Sequence, residues 1–425
     1  MASGSNTFGV WQLDVFIGLR GDSMTINVRD YGAIGDGIAD DAPAFLAAFA
    51  VNTTVYAPAG TYLLGSQILS GSPSRKLYGD GVHATMLKRK GSLAGGIQML
   101  DFEGDGVLQD LTVDGNWSAI AIGTGDDVRF IGPNCLAQRV RFQNSGHIAV
   151  ADVGIGNRYI QCQFVGAGVT GNGKDTDGAM YGLWSGHSAS RAMGLIGCEF
   201  RDFRFGGAFI GGTQATLTAC LFRNNHISTV PGGGGQLAFP SDSSFAGHVV
   251  QGCVFQAPGG VEAYAIEIDA EDVTIIGCNI DMGGVGTIGI NLQATTGTLI
   301  SGCTVKNATR SGIEVQAGVS GNRIIGNRCY DNQGSLTQQW GIRVVAGATD
   351  NDIIALNDLR GNINVDGIQD LGTGSNRQML ANLPAPILNH MASSSITLAG
   401  GKIYVESGKL KYKSPAGHIT ILAPA

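Results

Sequence analysis

The sequence predicts an all-β solenoid, and three observations support this prediction. One short pattern recurs, in which an aliphatic residue precedes a cysteine by two or three positions and an apolar residue follows two positions later. It stands at Cys162, Cys198, Cys220, Cys253, Cys278 and Cys303, and with another residue in place of cysteine at Leu111, Val140, Asn327 and Asn357. Strictly alternating tetrapeptides such as AIEI and GIEV lie between these copies, and 67 glycines with only 11 prolines suit short strands joined by tight turns. Successive copies lie 22 to 36 residues apart, which is a solenoid period.

The overall composition excludes several classes of protein. A formal net charge of −7 argues against a nucleic-acid partner. The chain contains no run of eighteen apolar residues, so we expect no membrane insertion. The first 24 residues lack a basic start followed by an apolar segment, so we expect no secretory signal peptide. Six of the 8 cysteines occupy the repeat position, where we expect small buried free thiols, although stacked coils would not exclude disulfides.

The chain divides into three predicted parts. Residues 1–24 are too short for a domain and are interpreted as an attachment or capping segment. Residues 25–382 carry the repeats, and residues 383–425 follow a Pro-containing break at Leu383–Pro386. Within this tail, KIYVE, KLKYK and HITIL predict a small antiparallel β unit. Near the start, Asp40 and Asp41 precede Pro43 and a run of good helix formers, which predicts a short helix that covers the open end of the solenoid.

The N-terminal segment carries a resemblance to a known superfamily. The residues concerned are Gly35, Asp36, Gly37, Asp40, Asp41, Pro43, Phe45, Pro58, Ala59, Gly60, Thr61, Tyr62, Gly79, Asp80 and Gly81. They resemble the opening segment of the pectate-lyase-like superfamily over residues 25 to about 90. The resemblance implies a right-handed single-stranded parallel β-helix with a short N-terminal capping helix and a small C-terminal β tail. Because that superfamily includes pectate lyases, polygalacturonases, epimerases and bacteriophage tailspikes, the fold alone does not identify the chemistry.

The C-terminal 26 residues are similar to the ends of many phage and prophage tail proteins. Together with the opening segment, this resemblance implies a tailspike, which is a homotrimer that binds, and often cleaves, a bacterial surface polysaccharide. It further implies synthesis in the host cytoplasm, a place in the virion tail, and attachment to other tail or baseplate proteins through the N-terminus. The phenylalanine and valine content of the exposed solenoid sides also favours burial against further copies.

The alternating tetrapeptides predict one strand per coil with an outward column of side chains. We expect this column to run through Ala149, Trp184, Phe209, Phe239, Glu267, Asn291, Glu314, Arg343 and Gln369. The next outward row would contain Asp269, Gln293, Gln316 and Val345. The column changes from apolar to polar at Glu267, and we therefore place a reacting sugar there.

The candidate catalytic residues are Glu267, Asp269 and Glu314, because glycoside hydrolysis needs two carboxyl groups on either side of the scissile bond. Glu267 and Asp269 have Cα atoms ~6.7 Å apart on one strand, and two strand spacings separate Glu267 from Glu314 by ~9.6 Å. Both separations favour inversion over retention. Glu267 is the expected acid, and either of the other two carboxylates is the expected base. The candidate substrate-binding residues are Arg343, which would orient an acidic sugar, together with Asn291, Trp184, Tyr181, Trp340, Gln293 and Gln316.

Other interpretations of these residues stay open. The outward polar residues are also typical of a solvated β face, with Glu314 and Arg343 as a cross-strand ion pair. A lyase would need Ca²⁺, which Glu267, Asp269 and Glu314 could bind, whereas the hydrolase needs no cofactor. A receptor-binding spike without catalysis and a structural tail component are two further alternatives.

Several other acidic groups and histidines are weaker candidates. Two long insertions, between Cys162 and Cys198 and between Cys220 and Cys253, could carry binding function. The first insertion contains Lys174, Asp175 and Asp177, which fit a turn or a Ca²⁺ or sugar site. Asp126 and Asp127 resemble the paired aspartates of polygalacturonases, but the other motifs of that family are absent, and Asp114 with Asn116 is typical of a turn. His147 and His187 are expected to be structural, and no Cys/His spacing indicates zinc.

Overall fold

The structure is a computed structural model, and it describes most of the repeat region and part of the tail. The described residues are 25–69, 74–93, 97–117, 126–166, 181–186, 190–227, 235–242, 244–258, 263–354, 356–374, 376–377, 396–398, 401–406, 409–413 and 419–423. The predicted attachment segment 1–24, the break at Leu383–Pro386 and four candidate residues of the first insertion lie outside them. Those four residues are Lys174, Asp175, Asp177 and His187.

The described chain is almost entirely β-structure. It begins with β1 (Ile26–Asn27), a 3-10 turn (Val28–Tyr31), β2 (Asp36–Asp40), α1 (Ala42–Val51), β3 (Thr54–Tyr56), β4 (Gly60–Leu64), β5 (Lys76–Tyr78), β6 (Thr85–Arg89), β7 (Leu100–Phe102), β8 (Val107–Asp114), β9 (Asp126–Phe130) and β10 (Leu136–Gln143). It continues with β11 (Ile148–Asp152), β12 (Arg158–Ile160), β13 (Gln163–Val165), β14 (Tyr181–Ser185), β15 (Gly194–Ile196), β16 (Glu199–Arg201), β17 (Gly206–Ile210), β18 (Thr216–Thr218), β19 (Leu221–Arg223), β20 (Gly235–Phe239), β21 (Val249–Gln251) and β22 (Val254–Gln256). The later coils contain β23 (Tyr264–Ile268), β24 (Thr274–Ile276), β25 (Asn279–Asp281), β26 (Ile288–Leu292), β27 (Leu299–Ser301), β28 (Thr304–Lys306), β29 (Ser311–Val315), β30 (Arg323–Ile325), β31 (Arg328–Tyr330), β32 (Trp340–Val344), β33 (Asp352–Ile354), β34 (Ile368–Asp370) and β35 (Asn376–Arg377). The tail contains β36 (Ile396–Leu398), β37 (Gly401–Glu406), β38 (Lys409–Lys413) and β39 (Ile419–Ala423).

The strands form a parallel β-solenoid of about 12 turns, as the repeat predicts. A typical coil contributes three strands, and each strand pairs in parallel with its equivalent in the next coil. The first ladder includes β24, which pairs with β21 and β27, and the second ladder includes β25, which pairs with β22 and β28. The third ladder is an eleven-stranded sheet that runs from β7 to β34 and contains the alternating tetrapeptides. Only two of these three strands per coil are predicted from the sequence, because a single tight corner joins the first and second ladders.

The recurring cysteine lies at that corner, between the first and second ladders. The residue before it adopts a left-handed backbone conformation, with φ of +61° at Gly197 and +62° at Gly277. Glycine reaches this conformation without steric cost, which explains why it so often precedes the cysteine. In later coils Asn327 occupies the corner and accepts a hydrogen bond from the Cys303 backbone N–H at 2.9 Å. All eight cysteines are buried and unpaired.

Stacked side chains fill the interior. In the second ladder the rings of Phe164, Phe200, Phe222 and Phe255 stack with centroids 4.4, 4.7 and 4.8 Å apart. These distances follow the strand spacing of a parallel sheet, ~4.8 Å. The core therefore consists of columns of like residues that extend from coil to coil.

The predicted helix is present as α1, and it packs on the first coils. Ala42, Phe45 and Phe49 are buried, and the ring of Phe45 makes an edge contact with Tyr62 at a centroid distance of 5.4 Å. Asp41 precedes the helix and accepts hydrogen bonds from the backbone N–H groups of Ile34 and Gly35. The helix thus covers apolar surface at the start of the solenoid, as expected.

The tail strands β36 to β39 form a four-stranded antiparallel sheet, which contains the three strands predicted from the sequence. Among the described helices, none is long and apolar enough to cross a membrane.

We predict that Gly289→Ala destabilises the solenoid. The methyl group would overlap Cγ1 of Val305 and lie 2.5 Å from the carbonyl oxygen of Gly312, so the third ladder would have to move away from the core. Overpacking of this kind costs about 1–3 kcal/mol, and urea unfolding followed by circular dichroism would measure it. The control is Gly334→Ala, because no atom lies within 4 Å of its added Cβ. Equal midpoints for the two variants would contradict the prediction.

Candidate functional site on the third ladder

The outward face of the third ladder carries a continuous row of side chains, which we call the outer row. Strand pairing places it at Asp101, Arg129, Ala151, Trp184, Phe209, Ala238, Glu267, Asn291, Glu314, Arg343 and Gln369. Two members of the expected column, Ala149 and Phe239, are wrong. Phe239 pairs with Ile268 and its buried ring stacks on His248 at 4.8 Å. Phe239 was misplaced by one position because β20 is apolar on both faces, whereas Ala149 was misplaced by two positions, since Ala151 is the residue that pairs with Trp184.

Four aromatic side chains form one half of the candidate site. This aromatic patch consists of Tyr181, Trp184, Phe205 and Phe209. The rings of Trp184 and Phe209 are nearly parallel, 7° apart, with centroids at 6.4 Å. Tyr181 lies 5.3 Å from Phe209 and 6.3 Å from Phe205. Flat aromatic surfaces of this kind on a sheet suit the apolar face of a sugar ring.

Small residues separate the aromatic patch from the first carboxylate. The intervening strand β20 presents Gly235 beside Tyr264 and Ala238 beside Glu267. Burial raises the pKa of the Tyr181 hydroxyl to about 12, and the nearby charge of Glu267 adds to this effect. Tyr181 therefore lies close enough to Glu267 for the two to interact across the small residues.

Glu267 is an unusual carboxyl group. Burial and, to a smaller extent, the charge of Asp269 raise its pKa to about 7, although the backbone N–H of Gly235 partly offsets the rise. Burial also raises the pKa of Asp269 above its ordinary value. One buried oxygen of Asp269, Oδ1, has no hydrogen-bond partner among the described residues. Two carboxyl groups with raised pKa values, two positions apart on one strand end, are able to share acid and base roles near neutral pH.

Glu314 has a different environment, although it lies only two strands from Glu267 on the same row. It is fully buried and accepts hydrogen bonds from Arg310 at 2.7 and 2.9 Å and from Arg343 at 3.0 Å. Ser311 Oγ and Gln316 Nε2 donate to it at 2.9 and 3.1 Å. The cross-strand ion pair considered from the sequence is thus present. Arg310 was missed because it precedes the strand, outside the outer row.

Amide side chains connect the remaining candidate binding residues. Gln316 Nε2 donates to Asn291 Oδ1 at 2.8 Å, and Asn291 Nδ2 donates to Gln293 Oε1 at 3.2 Å. Arg343 Nε donates to Gln369 Oε1 at 2.8 Å. Trp340 is half-buried at the start of β32 and pairs with Ser311. The site is therefore aromatic on one side of Glu267 and polar on the other.

The other acidic candidates lie apart from this site. Asp127 is buried in an ion pair with Arg89 at 3.0 Å, and burial raises its pKa to about 6. Asp126 lies 3.9 Å from His147. Asp114 accepts hydrogen bonds from the backbone N–H of Asn116 and from nearby amides, consistent with the predicted turn.

A cation would need several converging oxygens. Among the described residues, no group of three or more His, Cys, Asp or Glu side chains could hold a metal ion. In the set suggested for Ca²⁺, both oxygens of Glu314 already accept hydrogen bonds from Arg310. This donor set does not fit a calcium site.

We predict that Glu267→Gln stabilises the protein above neutral pH. The unfolded chain releases the Glu267 proton near its ordinary pKa of 4.5, whereas the folded chain retains it up to about 7, so stability falls as pH rises through this interval. Glutamine removes a penalty on the order of 3 kcal/mol. The melting temperature of the variant should exceed that of the wild type at about pH 8 and equal it at about pH 4.

Thermal melts monitored by circular dichroism at both pH values would measure this difference. Glu271→Gln, at an exposed position, is the control and should melt like the wild type at both pH values. A Glu267→Gln variant that is no more stable than wild type at high pH would contradict the predicted burial penalty.

Comparisons with known proteins place this geometry in a fold family. Residues 25–104 match the family described as rhamnogalacturonase A/epimerase, pectate lyase-like, and residues 206–382 match the family described as the right handed beta helix region. No curated protein sequence matches the chain. Among solved structures, the A-module of the Azotobacter vinelandii mannuronan C-5 epimerase AlgE4 aligns with a TM-score of 0.60 and 16% identity, over 84% of this chain and 98% of that one.

Two further solved structures are similar in fold. PfbA, a surface adhesin of Streptococcus pneumoniae, aligns with a TM-score of 0.59 and 13% identity, over 91% of this chain and 99% of that one. Tailspike protein 3 of bacteriophage CBA120 aligns with a TM-score of 0.51 and 14% identity, over 94% of this chain and 69% of that one. At these identities the likeness concerns the fold. The two family matches and these fold likenesses support the predicted pectate-lyase-like superfamily of right-handed parallel β-helix proteins.

Proposed function

We propose that the protein is a bacteriophage tailspike that binds a bacterial surface polysaccharide and depolymerises it by glycoside hydrolysis. The observation that carries this proposal is the Glu267 carboxyl group. It has a pKa of about 7 and lies beside Asp269 and next to the aromatic patch. An acid that stays protonated near neutral pH is what cleavage of a glycosidic bond requires. The fold likeness to a phage tailspike and to a mannuronan epimerase is consistent with a polysaccharide ligand.

In the proposed reaction, Glu267 donates its proton to the glycosidic oxygen as the bond from that oxygen to the anomeric carbon breaks. A water molecule attacks the anomeric carbon from the opposite side and transfers its proton to ionised Asp269. The unpartnered Oδ1 of Asp269 supports this role, because a buried carboxylate oxygen without a protein donor favours a bound water. The Cα separation of ~6.7 Å leaves room for that water and favours inversion of configuration.

Glu314 is less suited to act as the base. Two guanidinium groups and two further donors surround its carboxylate, so both of its oxygens already accept hydrogen bonds from the protein. We assign it the role of holding Arg310 and Arg343 in place. In the proposed site, Tyr181 and Trp184 stack on sugar rings, and Trp340 with the amides of Asn291, Gln293 and Gln316 binds the polar side of the chain.

We further propose that the protein is a homotrimer in the virion tail and that its N-terminus attaches it to other tail or baseplate proteins. The first ladder supports self-association, because its outward face carries β-branched residues, with Ile196 and Ile276 exposed to 45% and 38%. Burial of such a face against further copies would remove apolar surface from water.

We predict that the protein releases saturated oligosaccharides from a susceptible surface polysaccharide, with one water added per cut. Incubation with surface polysaccharides from a panel of bacteria, followed by mass spectrometry, would detect them. Glu267→Gln and Asp269→Asn should each lower the rate by about 100-fold or more, because each removes one proton-transfer group. Glu271→Gln should cleave like the wild type.

Other products would identify a different function. Unsaturated fragments without added water would make the protein a lyase, and loss of their formation on adding a chelator would require a cation. Tight binding of a glycan without any product would leave a receptor-binding spike. If both variants form saturated products at the wild-type rate, the active site does not include Glu267 and Asp269.

We further predict that kcat/KM falls as pH rises through about 7, because Glu267 must be protonated to act as the acid. On the acidic side, activity should fall as Asp269 becomes protonated, at a pH above the ordinary range of an aspartate because its pKa is raised. Initial rates between about pH 4 and about pH 9 would give the profile. Full activity retained at the alkaline end would contradict the assignment of Glu267.

A further inference from the structure

Two arginines converge on one carboxylate in the polar half of the candidate site. Arg310 Nη2 and Arg343 Nη1 both donate to Oε1 of Glu314, at 2.7 and 3.0 Å. Glu314 is fully buried, whereas the side chains of Arg310 and Arg343 are 37% and 25% exposed. Two positive charges against one negative charge leave this cluster with a net positive charge, on a chain whose formal net charge is −7.

The two guanidinium groups retain unused hydrogen-bonding capacity. Each has five N–H donors. Arg310 uses Nε and Nη2 toward Glu314, and Arg343 uses Nε toward Gln369 and Nη1 toward Glu314. Among the described residues, Nη1 of Arg310 and Nη2 of Arg343 have no hydrogen-bond partner. Because the buried carboxylate holds both side chains in place, little conformational entropy would be lost when a ligand binds them.

We infer that Arg310 and Arg343 form a subsite for the carboxylate of an acidic sugar, so that the substrate is an anionic, uronate-type polysaccharide. The inference rests on the proposed function and specifies its substrate class. Guanidinium groups bind carboxylates through paired N–H donors, with a geometry that an ammonium group does not offer. Trp340, at the start of the same strand as Arg343, supplies an aromatic surface beside the subsite.

The subsite binds a sugar other than the one that reacts. Glu314 lies two strands from Glu267 in the third ladder, and Arg343 lies three strands away. These steps correspond to ~10 and ~14 Å along the ladder. The amides of Asn291 and Gln316 lie between the two positions. A polysaccharide that follows the outer row would thus place an acidic residue on the arginines while a neighbouring bond lies at Glu267.

Saturation-transfer-difference NMR with D-glucuronate and with D-glucose tests the subsite without knowledge of the natural polysaccharide. We expect a glucuronate signal that exceeds the glucose signal and that falls at least about threefold in Arg343→Gln and in Arg310→Gln, because each loses charged donors. Arg343→Lys keeps the charge beside Glu314 and should fold normally, yet it should also bind glucuronate more weakly. Arg323→Gln, which changes an exposed arginine of the first ladder, is the control and should bind like the wild type.

Kinetics on a cleaved polysaccharide provide the second arm of the test. Arg343→Lys should raise KM by about tenfold and leave kcat nearly unchanged, because the subsite binds a sugar that does not react. Cleavage of a neutral polysaccharide, glucuronate binding that persists in all arginine variants, or an unchanged KM would overturn the inference while the depolymerase stands. Arginine-dependent glucuronate binding without cleavage of any polysaccharide would instead overturn the proposed hydrolysis and retain the subsite.

Discussion

The parallel pairing of each strand with its equivalent in the next coil is the constraint on which the rest of the structure depends. It sets the ~4.8 Å step between equivalent residues, and the interior follows that step in the stack of phenylalanines and in the corner cysteines. The same spacing applies to the side chains of the outer row. Residues far apart in sequence, such as Trp184 and Arg343, become members of one row because every intervening coil preserves the alignment.

Two glutamates on that row show how strongly the immediate surroundings determine the chemistry of a carboxyl group. Glu267 lies beside Ala238 and Asn291, and among the described residues no arginine contributes to its pKa, so burial favours its protonated form. Glu314 is buried more completely, but two arginines and a serine compensate its charge. Burial therefore has opposite consequences at the two positions. At Glu267 it produces a group suited to proton transfer, and at Glu314 it produces a rigid support for cationic side chains.

The sequence was sufficient for the fold and for most of the outer row, because the repeat positions mark the corners and a strand with a polar outer face has an unambiguous orientation. Glu267, Asn291, Glu314 and Arg343 were predicted on this basis and lie where expected. Phe239 was misplaced because β20 is apolar on both faces, so either side could have faced the core. The second ladder was not separated from the first because a one-residue left-handed corner carries no long turn signal.

The partner of Glu314 was beyond what spacing could reveal. Arg310 belongs to the turn before β29, and strand alternation does not determine the direction of a turn residue's side chain. The hydrogen bonds of Arg310 to Glu314 are seen only in the structure. The surroundings of Glu267 likewise include strand β20 of the preceding coil, which is remote in the chain. Ala238 of this strand pairs with Glu267, and the backbone N–H of Gly235 partly offsets the rise in its pKa. Such neighbours are determined by pairing between coils, so they follow from the structure and not from any local pattern.

The contribution of one outer-row residue by each coil has an evolutionary consequence. Each coil adds one residue to the outer row and leaves its neighbours unchanged. Duplication or loss of the coil that contains β20, between the aromatic patch and Glu267, would therefore shift the two relative to each other by a single ~4.8 Å increment. The spacing between recognition and cleavage can therefore change in discrete units through rearrangement of whole repeats. Gain or loss of coils would thus adapt such a protein to a glycan repeat of different length while the individual contacts with the sugars stay the same.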